Sequence, residues 1–204
     1  MLLPQKLHFL FSCARSFAMG IKAVTTSLPD QLDAIFGPCL PAGQPVKPQE
    51  FQLRPASVQK LEHDTAPVLK QYLDTATTGL LLSGAVHRVH PILWLVDHAG
   101  DVWFAVEEVV SEETGELLYT MARGSHIPSG HVKLGHPSLL ISTTNKSARI
   151  GGEIKYFPAT QTWKISNRSG RYGTRPHQTE AHLQAVAERF SEFGIELTPN
   201  FWTP

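Results

Sequence analysis

The stretch "PILWLVDHAGDVWFAVEEVVSEETGELLYTMARG", Pro91 to Gly124, constrains the fold more than any other part of the chain. β-branched and aromatic residues dominate three runs, Ile92 to Val96, Val102 to Val110 and Leu117 to Ala122, and the turn segments "DHAGD" and "SEETGE" separate them. Connections so short and Gly-containing favour antiparallel neighbours, because a parallel pair needs a crossover of about a dozen residues or more. The spacing predicts an antiparallel meander. "HPSLLIST", "GGEIKYF" and "TWKISN" have the same residue preferences and are expected to add strands.

The period then changes. In "TEAHLQAVAERFSEFG", Leu183, Val186, Ala187, Phe190 and Phe193 recur at helical steps, Thr179 is suited to cap the start and Gly194 to end the run. Strands followed by such a helix define the expected class: α+β, an antiparallel sheet with a C-terminal amphipathic helix packed on it. Upstream, Val58, Leu61, Val68, Leu69, Tyr72 and Leu73 indicate helical segments between Ser57 and Asp74, with Pro67 starting or kinking the second. From Ser27 to Pro55, prolines and glycines interrupt every periodic pattern, as in "GPCLPAGQPVKPQ". The expected organisation is an N-terminal segment and Pro-rich connecting arm over residues 1–55, then a single α+β domain over 56–204.

With 204 residues, 42% of them apolar, the chain is long enough for one domain with a real core. Its net charge is zero, so an electrostatic function must be local. Cys13 and Cys39 lack CxxC spacing, and "HRVH" (His87, His90) has no third ligand nearby, so neither a disulfide scaffold nor a metal site is expected. No apolar run approaches the roughly 18 to 20 residues of a membrane span, and a soluble protein is expected. The opening "MLLPQKLHFLFSCARSFAMGIK" has no acidic residue, but Gln5, Lys6, His8 and Ser12 break its apolar run. That favours a short docking helix or extended start over an export signal.

Charge is segregated. Between Asn145 and His177 stand seven cations, Lys146, Arg149, Lys155, Lys164, Arg168, Arg171 and Arg175, against one carboxylate, Glu153. Arginines can grip phosphate oxygens with two donors, and Ser169 and Gly170 let backbone approach a ligand closely. The helix start near Thr179 adds unpaired N–H groups. The segment therefore reads either as a phosphate or nucleotide cradle or as a solvated basic turn. Glu153 is suited to act as a base, to accept from a ribose hydroxyl, or to orient an arginine. His136 and Ser138, two residues apart on an expected strand, would share a face as a base and nucleophile pair. Tyr156, Trp163 and Tyr172 meet the basic segment without an interleaved basic and aromatic face, so nucleic-acid binding is not expected.

The succession "HPSLL … GGEI … WKISNRSGRY … HLQAVAERFSEFGIEL", roughly His136 to Leu197, resembles the C-terminal domain of bacterial effectors and polymorphic toxins. It is similar to the AMP-transferring type, which uses a serine with a His-x-x-x-Glu motif. The resemblance implies a nucleotide site with Ser138, His136 and Glu153 as catalytic residues and Arg168, Ser169, Gly170, Arg171 and Tyr172 holding the nucleotide. It implies transfer of AMP to a protein target. The cofactor is left open, with ATP and Mg²⁺ as candidates, and the location is left open between the bacterial cytoplasm and secretion into a host or competitor cell. The sequence departs from the pattern at Arg171, which takes the motif histidine's place, and at Arg175, which takes the glutamate's. An arginine stays charged and cannot act as the base. Two other readings follow: a noncatalytic docking or immunity-type module using the basic 145–177 loop, and an ADP-ribosyltransferase-like enzyme. The latter rests on "ISTT" (Ile141 to Thr144), with Arg123 before it and Glu153 after it.

Overall fold

A computed structural model describes residues 27–78, 85 and 87–203; the opening segment that raised the question of export lies outside them. In chain order the elements are α1 (Leu28–Phe36), α2 (Pro48–Gln52), β1 (Gln59–Lys60), α3 (Ala66–Thr78), β2 (Ile92–Val96), β3 (Val102–Val106), β4 (Glu108–Ser111), β5 (Leu117–Thr120) and β6 (His131–Leu134). A 3₁₀ turn (His136–Leu139), β7 (Ile150–Phe157), β8 (Thr162–Ser166), α4 (Glu180–Ser191) and β9 (Thr198–Pro199) complete the order. The main sheet runs β1-β3-β2-β7-β8-β9, antiparallel except for the short β8–β9 pair, and a smaller antiparallel sheet runs β5-β4-β6. The fold is α+β, with the C-terminal helix packed on the sheet.

Strand β2 is buried on both faces, which explains its unbroken apolar run. Ile92, Trp94 and Val96 point to a core shared with Leu69 and Leu73 of α3, Leu183, Val186 and Phe190 of α4, and Phe36 of α1. Leu93 and Leu95 point the other way, to Leu139, Leu140, Ala148 and Tyr172. Fully burying a Leu or Ile contributes about 1.5–3 kcal/mol, so both layers matter to stability. Helix α4 follows the sequence reading closely. Thr179 is its N-cap and accepts from His182 N, and Gly194, just past the end, has φ +72°.

Three expectations are corrected. The first half of the Ser57–Asp74 stretch is not helical: Gln59 and Lys60 pair with Phe104 and Trp103, and the helix begins only at Ala66, with Pro67 in its first turn. The run Val102 to Val110 is two strands rather than one. The chain passes between sheets at the buried Glu107, whose carboxylate pairs with Lys133 at 2.8 Å and whose carbonyl accepts from Met121 N. "HPSLLIST" is not a strand: Pro137 lacks the N–H that a ladder needs, Ser138 N donates back to Gly135 O at 3.0 Å, and residues 141–144 form an exposed loop.

The Pro-rich arm lies along the second face of the domain. Leu40 forms a two-bond bridge with Ala148, and Gly43 N donates to Arg171 O at 2.9 Å. Glu108 accepts from Ala56 N, Ser57 N and the Ser57 hydroxyl, which fixes the arm's exit. Among the described residues no helix is long and apolar enough to cross a membrane.

Candidate functional site

The seven cations of the basic segment have distinct fates, and four of them face inward. Arg149, only 3% exposed, donates to Asp33, to Gly37 O at 3.1 Å and to His98 O at 3.1 Å. Arg175 donates to the carbonyls of Leu40, Pro41, Ala148 and Arg171. Burial lowers the pKa of Arg175 from its ordinary value, but several carbonyl acceptors compensate its charge. Arg171 donates to Glu50 Oε1 at 2.5 Å and to Pro45 O at 3.0 Å. Lys146 donates to Leu140 O at 3.0 Å. Three arginines thus stitch the arm to the domain, and most of the charge that reads as a phosphate cradle in sequence is compensated by protein groups.

A cleft of about 320 Å³ nevertheless opens where this segment meets β6, β7 and the arm. Of the sequence-derived candidates, His136, Glu153, Arg168, Ser169, Gly170 and Arg171 all line it. Two candidates do not. Ser138 is fully buried and its hydroxyl donates to Gly135 O at 2.6 Å, which ties down the 3₁₀ turn. Tyr172 is also fully buried; its hydroxyl donates to Lys146 O at 2.7 Å, and burial pushes its pKa up.

His136 is held rigidly. Gly152 O can only accept, so Nε2 at 2.8 Å carries the hydrogen, and the lone pair of the neutral ring resides on Nδ1. Burial first, then the Lys133 and Arg171 charges, lower its pKa, while the Gly152 bond and Glu153 act in the opposite direction. The ring is thus neutral near pH 7, the form a base requires. Glu153 projects from β7 beside Lys155 two residues on, the same-face spacing of a strand, and the two form an ion pair.

Residues invisible to sequence reasoning complete the walls: Gln44, Lys47 and Glu50 from the arm, Glu107, and Lys133 and Gly135 at the end of β6. Glu50, 1% exposed, accepts from Lys47 N, Gly135 N and Arg171, and is fully engaged. A side chain at Gly135 would meet Glu50 Oε1 at 2.7 Å and Arg171 Nη1 at 2.9 Å, so it would displace the ends of this ion pair. Among the described residues, Lys47 and Arg168 have no carboxylate partner. Arg168 stacks its guanidinium 5.0 Å from the Trp202 ring. The amide N–H groups of Gly170 and Arg171 likewise have no acceptor among the described residues. These two cations and the two residues with unpaired amides line the same cleft, Lys47 from the arm and the others from the loop after β8.

The motif residues between β8 and α4 are chiefly structural. Asn167 is fully buried; its Nδ2 donates to Gly173 O and Trp202 O, and its Oδ1 accepts from Trp202 N, fastening the chain end to the loop. A Cβ at Gly152 would lie 1.7 Å from Ser166 O, and one at Gly173 1.8 Å from Asn167 O, so these glycines permit the loop to cross β7. The "ISTT" hydroxyls stand in the exposed loop, away from any strand. No three or more His, Cys, Asp or Glu side chains gather as a metal site among the described residues. Comparison of the chain with protein-family models, with curated proteins and with solved structures gives no match.

Proposed function

We propose that the His136–Arg168 cleft binds a phosphate-bearing small molecule, a nucleotide in the first instance. The observation that carries this reading is that Lys47 and Arg168, which have no carboxylate partner, line one cleft with Gly170 and Arg171, whose amides have no acceptor among the described residues. Amides and cations suit the oxygens of a phosphate, and the cleft's volume suits a small ligand. Arg171 has a different part from the one its sequence position implied: bound to Glu50 and Pro45 O, it holds the wall in place.

The further step, transfer of AMP from ATP to a protein hydroxyl, takes His136 as the base. Its Nδ1 would accept the hydroxyl proton while the new oxygen–phosphorus bond forms at the α-phosphate and pyrophosphate leaves, with transition-state charge met by Arg168 and the amides. Ser138, with its hydroxyl committed to Gly135, has no part in this scheme.

The test is a thermal-shift titration of the protein with ATP, ADP, AMP and NAD, with and without Mg²⁺, repeated on Lys47→Ala/Arg168→Ala. A ligand that binds only the folded state raises the melting temperature. The paired substitution is expected to weaken binding by about tenfold or more while leaving the unliganded melting point unchanged. A shift with none of the four, or a shift that survives the substitution intact, refutes the assignment.

A further inference from the structure

A second cleft, about 590 Å³, shares only Gln44 with the first. Pro41, Pro45, Val46 and Phe51 give it an apolar side, and Thr144, Asn145 and Ser147 a polar one. Lys146 stands in its wall and is 6% exposed. A buried ammonium ordinarily sits against a carboxylate. Here Nζ makes one hydrogen bond, to Leu140 O at 3.0 Å, lies 6.0 Å from the Phe51 ring centre, and has no carboxylate within ion-pair distance among the described residues.

The charges around it are unequal. Burial first and the Arg54 guanidinium second lower its pKa to about 8, with Glu50 acting the other way. Glu50 is itself neutralised by Arg171. Near neutral pH about a tenth or more of such an amine is unprotonated, against about a thousandth or less for an ordinary lysine. The backbone is fixed as well: Lys146 O accepts from Tyr172, and the Leu40–Ala148 bridge follows two residues on.

We infer that Lys146 is a nucleophilic amine serving this second cleft and that it forms an imine with a small, largely apolar aldehyde or ketone. The Nζ lone pair attacks the carbonyl carbon and a nitrogen–carbon bond forms. The carbonyl oxygen takes up the two hydrogens that the amine gives up and leaves as water. A neutral amine is the reactive form, and the lack of a carboxylate partner favours that form. The hydroxyls and amide of Thr144, Ser147 and Asn145 line the side of the cleft able to hydrogen-bond the departing oxygen.

The full-length protein is treated near neutral pH with limiting propanal and sodium cyanoborohydride, which reduces an imine to a stable propyl-amine, and the modified lysines are mapped by peptide mass spectrometry. Lys146 is expected to be labelled about tenfold or more faster than the exposed, unpaired Lys47, with a rate that reaches half its maximum near pH 8. The preference should vanish in concentrated urea, where both lysines are equally solvated. If Lys146 in the folded protein reacts no faster than Lys47, or is protected while Lys47 reacts, the inference is wrong.

Discussion

Arg171 shows how far a residue's role depends on what packs beside it. In sequence it is one cation among several in a polar loop; in the fold it faces Glu50, a carboxylate 121 positions away and 1% exposed. Two backbone amides also donate to that carboxylate, so it would remain buried if the arginine were lost. Removing one partner of a buried pair typically costs about 3–5 kcal/mol, because the other charge is left uncompensated. Arg171→Ala is therefore expected to lower the free energy of unfolding by an amount in that range, read as a lower urea midpoint. Adding Glu50→Gln should restore part of the loss, since a neutral amide needs no counter-charge. An unchanged midpoint in the single variant would mean that the pair does not hold the arm. Arg168 is the better probe of ligand binding, because it is exposed and its loss leaves no buried charge behind.

At the scale of elements, legibility followed the range of the interactions. Helix α4 and strands β2, β3, β7 and β8 were readable because periodicity, capping and β-branched composition act within a few residues. Strand β2 needed only its apolar run, and α4 only Thr179 and its spaced Leu, Val and Phe residues. The crossing at Glu107 was not readable, since it depends on Lys133 from another strand. The ordering of the arm was hidden for the same reason: Arg149 reaches Asp33 across 116 positions and Arg175 reaches Leu40 across 135. Half of the cleft's wall therefore came from residues that no local pattern marks. The double glycine of "GGEI" was visible as a cluster, but its purpose was not. Trp94 pairs with Gly152 on one side of β7, and Ser166 and Asn167 crowd the place where a side chain would stand. With Ser166 O 1.7 Å from an added Cβ, backbone must move to accommodate even a methyl group. Gly152→Ala is expected to destabilise by more than about 4 kcal/mol, or to leave no folded protein, as read by urea unfolding or by loss of soluble expression. A variant within about 1 kcal/mol of the parent would show that β7 and the loop after β8 are less closely apposed than described.

For the molecule as a whole, the arm and the domain form one structure joined along a seam that also carries histidines. His136 lies beside Glu50 and Arg171 in the first cleft, and His182 lies close to Gly37 at the end of α1. Burial is the leading cause that lowers the pKa of His136, His177 and His182 from the ordinary value near 6.5. His182 Nδ1 stands between a donor and an acceptor, 3.3 Å from Thr179 N in the capping box of α4 and 3.1 Å from Gln178 Oε1. Well above pH 6.5 these rings are neutral in both the folded and the unfolded chain, and they make no contribution to the pH dependence of stability. As pH falls below 6.5 the unfolded chain takes up protons that the folded one refuses, so the free energy of unfolding falls. The slope disappears again once pH is below the lowered folded-state values, where both states are charged. Urea midpoints measured from pH 8 down to 5 are therefore expected to be flat at first and to decline below about 6.5. His136→Gln should make that decline shallower, because it removes the most deeply buried of the three titrating rings while keeping a donor for Gly152 O. Limited proteolysis over the same range should cut first between Gly37 and Lys47, where acid loosens the seam. A decline of equal steepness in His136→Gln would assign the pH dependence to His177 and His182 at the start of α4, and so to the helix cap rather than the cleft.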